Sequence, residues 1–264
     1  MCEHLLCLYS VLVDQTFLYN DDLPFFQNDS EADVILYGFK KKRYDELECL
    51  KELAKLPINK LNIISSRIFR EFPNLKVNYV DWDFHIDVEQ FDFELKGGKY
   101  KDIRYRLRQV ERMGYKAKIG REFTSRHSYI LSRHMACHQL TVWDYEELLS
   151  LEWFFREHDH GFMMEVYKDD KLVGFDVVDF FEESRIMAVP LGVYLDVPLI
   201  SYFQMHENLK YARENGYVWL DVGSACGAEG LAKFKEKWTA KPKYKICVQT
   251  LTIKPDTVSN LKLS

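Results

Sequence analysis

Three strand-like runs, Phe162–Lys168, Lys171–Phe181 and Ser184–Tyr194, follow one another with only the Asp169-Asp170 pair and a short break between them. Connections that short cannot carry a crossover, so the runs must pair as an antiparallel meander. The flanking segments narrow the topology further. Ahead of the meander lie two helix-like stretches, Arg126–Gln139 and Asp144–Glu157. Behind it come a long helix, Leu199–Asn215, placed between Pro198 and Gly216, then the strand Tyr217–Val222, a short helix Gly230–Trp238 and a last strand Lys243–Thr252. The C-terminal half therefore reads as a mixed α+β domain.

The first part alternates as well. Strands are expected at His4–Val13, Thr16–Tyr19 and Asp33–Phe39, then a helix Arg43–Leu56 with Leu47, Leu50, Leu53 and Ala54 on one face, then strands Leu61–Ser65 and Val77–Trp82. No catalytic constellation stands out there. Between the halves, Gly97-Gly98 precedes a helix Tyr100–Met113 with Gly114 as its C′ residue, followed by the strand Tyr115–Arg121. Its spacing turns Ile103, Leu107 and Val110 inward and lines up Arg104, Arg108 and Arg112 on an adjacent face. Such a stripe either tracks phosphates or is a solvated basic face.

At 264 residues, 47% hydrophobic and 29% charged, the chain can bury one large core or two small ones. A net charge of -5 argues against a protein that coats nucleic acid. Even so, residues 96–121 hold Lys96, Lys99, Lys101, Arg104, Arg106, Arg108, Arg112, Lys116, Lys118 and Arg121 against only Asp102 and Glu111. No apolar run is long enough to span a membrane, and the first residues lack the basic flank of a signal peptide, so a cytoplasmic protein is expected. The six cysteines form no C-x-x-C pair and read as reduced thiols. His134 and His138 stand at ligand spacing and His158-Asp159-His160 forms a second cluster, but no H-E-x-x-H accompanies them. They read as surface or helix-end histidines, and no metal is expected.

Three spaced segments carry a resemblance. They are Leu95-Lys96-Gly97-Gly98-Lys99-Tyr100-Lys101-Asp102-Ile103-Arg104, the stretch from His206 through Ala212 and Gly216-Tyr217 to Asp221-Val222-Gly223, and Gly230-Leu231-Ala232-Lys233-Phe234-Lys235-Glu236-Lys237-Trp238. Together they resemble the GNAT-like transferases that include the Fem peptidyltransferases and the catalytic C-terminal domain of lysylphosphatidylglycerol synthases. The resemblance implies tandem GNAT-like domains. Residues 1–95 would be a degenerate N-terminal half, 96–121 a basic connecting helix and strand, and 122–264 the complete transferase domain. It also implies transfer of an acyl or aminoacyl group, from a tRNA ester or a thioester, to an amine or hydroxyl. The acceptor would be a small molecule, a peptide or a lipid head group, with no cofactor beyond the co-substrate.

Coenzyme A-dependent members hold the pyrophosphate on a glycine-rich loop at the start of the long helix. Here that junction is Leu195-Asp196-Val197-Pro198-Leu199-Ile200-Ser201, without glycine and with an acid that would repel phosphate. Aminoacyl-tRNA is therefore the expected donor. The alternatives are acyl-CoA on an atypical loop, or an inactive GNAT-like binding module.

By the resemblance, Lys235 points at the acyl ester and stabilises the oxyanion, while Lys233 and Lys237 meet phosphate or the tRNA end. Lys99, Arg104 and Arg108 join the donor-binding set. Asp221, on a strand that reads as buried on both sides, either orients an amine or pairs with a cation. Glu165 and Asp176 are acceptor-site acids or face solvent. Cys226 is a packing thiol or a nucleophile, and Trp143, Trp153, Phe154 and Phe155 read as core.

Overall fold

The structure is a computed structural model that describes residues 16–20, 23–27, 30–35, 46–65, 67–138, 161–225 and 228–253. The strand expected at His4–Val13, the helix Asp144–Glu157 with its aromatic residues, the His158–His160 cluster and Cys226 lie outside the described residues. Among the described cysteines, Cys137 and Cys247 are free thiols. Two compact units divide the chain, with boundaries after Asp83 and after Pro242.

The smaller unit contains β1 (Thr16–Asn20), β2 (Leu23–Gln27), β3 (Glu31–Ile35), α1 (Glu46–Leu53), β4 (Lys60–Ser65), the first part of β5 (Leu75–Asp87) and most of β11 (Lys241–Thr252). Strands β1, β2 and β3 form antiparallel pairs, β3 runs parallel to β4, and β4 pairs antiparallel with β11. The strand β2 is not among the sequence expectations. Helix α1 keeps its expected face: Leu50, Leu53 and Ala54 are fully buried against Leu61, Ile63 and Leu251. Inside, Gln249 donates from Nε2 to Ser65 Oγ and the Arg67 carbonyl, each at 2.9 Å, and its Oε1 accepts from the Phe69 amide at 3.0 Å. A buried amide satisfied on both sides fixes how the chain leaves β4.

The larger unit runs from Phe84 to Pro242. Its elements are α2 (Lys101–Arg112), β6 (Lys116–Gly120), α3 (Ser125–His138), β7 (Phe162–Lys168), β8 (Lys171–Phe181), β9 (Ile186–Tyr194), α4 (Ile200–Glu214), β10 (Trp219–Ser224) and α5 (Glu229–Lys237). The strand order is β10-β9-β8-β7-β6. The expected meander is there: β7, β8 and β9 pair antiparallel in sequence. Its first turn has positive φ at both Asp169 and Asp170, the backbone that matches a two-residue hairpin to strand twist. Gly114 takes φ +70° directly after α2, as a C′ residue should.

Both faces of this sheet are covered, and strand alternation assigns residues to them. Met163, Phe175, Val177 and Val193 pack with Ile130 and Leu131 of α3. Met164 and Val178 pack the other way, with Ile103 of α2, Leu209 of α4 and Trp238 just past α5. Ile103 and Val110 are buried and Leu107 is half-buried, as the spacing of α2 predicts. Trp238 is fully buried and stacks on Phe91 at a centroid distance of 6.4 Å.

Candidate functional site

The parallel pairing of β10 with β9 is short. It joins Trp219, Leu220 and Asp221 to Ile186, Met187 and Ala188, while β9 continues to Tyr194 and β10 to Ser224. Past that point one side chain reaches the β10 carbonyls. Lys235, 5% exposed, donates from Nζ to the carbonyls of Val222, Gly223 and Ser224 at 2.5, 2.8 and 2.6 Å. An ammonium has three N–H bonds, and here each meets a backbone oxygen. The lysine expected to stabilise an oxyanion is thus placed as a clasp on the end of β10.

Asp221 sits beside this clasp. Its Oδ1 accepts from the Gly223 amide at 2.8 Å, and its Oδ2 lies 3.6 Å from His85 Nε2. Strand β10 is less enclosed than its apolar residues suggest: Leu220 is buried, while Val218, Asp221 and Val222 are only half-buried. Past Asp221 and Ala188 the two strands no longer pair. The neighbouring lysines of α5 pair with acids. Lys237 donates to Asp102 Oδ2 at 2.9 Å, and Lys233 lies 2.6 Å from Glu229 one turn back. The hydrogen bond from Lys237 holds the Asp102 carboxyl below its usual range, aided by Tyr202 and Arg106, and the same bond raises Lys237.

The arginine stripe of α2 is divided. Arg104 turns back, donating from Nη1 to the carbonyls of Leu95 and Gly97, and so pins the loop ahead of the helix. Lys99 lies over the Tyr100 ring, 4.6 Å from its centroid. Arg108 and Arg112 remain exposed, and with Lys101 and Tyr105 they form a row at positions i, i+4, i+7 and i+11. Tyr105 is 57% exposed within this row of cations.

Glu165, whose alternatives were an acceptor site or solvent, is 8% exposed and at the floor of a cleft. Gly120, Arg121, Glu122, Thr124, Arg126, His127, Tyr167 and Leu172 complete a cavity of about 490 Å3. The Thr124 amide donates to His127 Nδ1 at 3.0 Å, so the ring carries its proton on Nε2 and gives it to Glu165 Oε1 at 3.2 Å. Tyr167 donates to Glu165 Oε2 at 2.8 Å. Burial pushes the Glu165 carboxyl up, but the bonds from His127 and Tyr167 and the charges of His127 and Lys118 outweigh it, leaving the group below its ordinary value. Burial and the bond to Glu165 push the Tyr167 phenol up to about 12, so it stays a donor. Gly120 makes room for the carboxylate: a Cβ there would stand 2.0 Å from Glu165 Oε1.

Asp176 is also no surface acid. It lies fully inside the sheet, accepting from Gln204 Nε2 at 2.8 Å and Asn208 Nδ2 at 2.6 Å, with Gly192 opposite. Burial raises its carboxyl to about 7, and Asp179 on the same strand is raised to about 7 for the same cause. His134 corrects another expectation: it is buried, and its Nδ1 accepts from the Tyr194 amide at 3.2 Å. Sequence reading missed His127, Thr124 and Tyr167. Only Tyr167 left a signal, since residues two apart on a strand share a face with Glu165.

The start of α4 keeps the character expected from its residues. Asp196 and Pro198 are exposed, Leu199 takes φ +60° at the N-cap, and the Pro198 carbonyl accepts from Tyr115 at 2.7 Å. No helix among the described residues is long and apolar enough to cross a membrane.

No protein-family model and no curated protein matches the sequence. Solved structures do match its fold. The C-terminal domain of a protein named as a lysylphosphatidylglycerol synthetase from Agrobacterium fabrum is 15% identical with a TM-score of 0.63, covering 97% of this chain and 88% of that one. L-PGS from Bacillus licheniformis gives the same identity and TM-score, with 97% and 90% covered. FemX is 11% identical with a TM-score of 0.58, with 96% and 91% covered. The chain therefore has the mixed α+β, GNAT-like fold that these structures share.

Proposed function

We propose that this chain is an aminoacyltransferase that takes an aminoacyl group from tRNA and passes it to an amine or hydroxyl acceptor. The likeness to FemX and L-PGS supports the reaction class. The observation that carries the choice of donor is the start of α4. A pyrophosphate is held there by free amides at a helix N-terminus. This helix begins with an exposed acid at Asp196, a proline that has no N–H, and a left-handed Leu199 in place of a glycine loop.

The exposed row Lys101, Tyr105, Arg108 and Arg112 supports a polynucleotide donor, because cations with an interleaved aromatic suit a phosphate backbone and its unstacked bases. Lys235 acts in this reading as a positioning residue. It fixes the end of β10, and so the opening where β10 and β9 cease to pair, which we take as the place of the donor ester. Asp221, whose Oδ1 accepts from the Gly223 amide and whose Oδ2 faces His85, is the group assigned in this reading to orienting an acceptor amine.

The test is thermal stabilisation by bulk aminoacylated tRNA and by acetyl-coenzyme A, followed by transfer assays with labelled aminoacyl groups. Saturable stabilisation by charged tRNA is expected. Stabilisation by acetyl-coenzyme A with none by tRNA would reverse the assignment in favour of an acyl-CoA-dependent enzyme.

A further inference from the structure

The Glu165 cleft holds a buried carboxylate at its floor with acceptor capacity left over. Among the described residues its hydrogen bonds come from His127 and Tyr167. Lys118 lies over the Tyr167 ring, 4.7 Å from its centroid, and adds its charge nearby. A cation arriving from solvent can take up the acceptor capacity that remains. Each carboxylate oxygen accepts one hydrogen bond here and has a lone pair left over.

The walls say what kind of cation fits. Arg121 and Arg126 are exposed at the cleft, and Arg126 is held there by donating from Nε and Nη2 to the Leu172 carbonyl, both at 3.1 Å. A bare amine would meet these guanidinium groups as like charges. A molecule with an anionic end would not. The volume of about 490 Å3 is within the range of small-ligand sites. Gly120 adds that the carboxylate's position is built in, since any side chain at that residue would displace it.

We propose that this cleft binds a free amino acid, with its ammonium group on Glu165 and its carboxylate toward Arg121 and Arg126. The site is formed by β6, β7 and the start of α3, and its occupancy is an equilibrium property that does not depend on the transferase reading.

The experiment is calorimetric titration of the whole chain with the standard amino acids, then of the best binder against its N-acetyl derivative, which has no ammonium. At least one amino acid is expected to bind saturably, and N-acetylation should weaken it by about tenfold or more. Glu165→Gln should weaken it to a similar degree while keeping the cleft's shape. Gly120→Ala, which retains the charge but displaces it, serves as the second variant should Glu165→Gln fail to fold, and should weaken binding likewise. Absence of saturable binding by any amino acid overturns the proposal, as does equal affinity for the N-acetyl form or wild-type affinity in the folded variants. None of those results touches the donor comparison made with tRNA.

Discussion

Lys235 and Asp176 show how differently two buried ionisable groups are accommodated. Lys235 has a backbone carbonyl for each N–H, so Lys235→Met would strand three part-buried acceptors. It should cost about 3 kcal/mol or more by chemical denaturation, because unsatisfied buried polar groups cost the full desolvation penalty. Unchanged stability with lost transfer would instead make Lys235 a catalytic residue. Asp176 is held near neutrality by burial. Its folded pKa of about 7 lies above the ordinary 3.8, so its contribution is fully present below 3.8 and is lost as pH rises through about 7. Asp179 adds the same trend. Glu165 works in the opposite sense: its folded value is lowered from 4.5, so its contribution is present above 4.5 and lost as pH falls through the folded value. Asp176→Asn removes one titration, and Asn208 Oδ1, buried with no hydrogen-bond partner among the described residues, can turn to accept from the new amide. The variant's melting temperature should therefore gain on the wild type between about pH 4 and about pH 7. A difference that stays constant across that range would refute the account.

At the scale of elements, α2 combines three tasks along twelve residues. One face is core through Ile103 and Val110, Arg104 pins the preceding loop, and Asp102 ties the helix to Lys237 at the end of α5. That ion pair is half-exposed and contributes little by itself. The remaining face is free to meet a polyanion. Replacing both Arg108 and Arg112 by Glu should weaken binding of charged tRNA at least about tenfold at low salt and lower the salt slope by about 2, with melting temperature unchanged. Equal affinity of variant and wild type in a filter-binding titration would remove α2 from the donor site. The division of the stripe was not legible from periodicity. Spacing says which residues share a face, but not that Leu95 and Gly97 would offer carbonyls within reach of Arg104.

Across the whole molecule, the parts legible in the sequence are those set by local rules. Two-residue turns force antiparallel pairing, glycine ends helices, and alternation sorts Met163 from Met164 to opposite faces of one sheet. The meander, the amphipathic α1 and α2 and the glycine-free start of α4 followed from such rules. The GNAT-like fold was implied by the resemblance of three spaced motifs, and structures only 11% to 15% identical share it. The site was legible in its residue types but not in its contacts. Lys235 and Asp221 come near one another through the ends of β10 and α5, yet what the ammonium binds depended on where β9 stops pairing. Glu165 was recognisable as an acid on a strand. Its cleft required Thr124 and His127 from 38 residues or more upstream, arriving by way of α3, and the missing side chain of Gly120 on the neighbouring strand. The sequence by itself determined the elements and their faces, because periodicity and turn chemistry act over a few residues. Only the tertiary structure decided which charges are spent on backbone and which remain open to a ligand, because that depends on packing partners far apart along the chain.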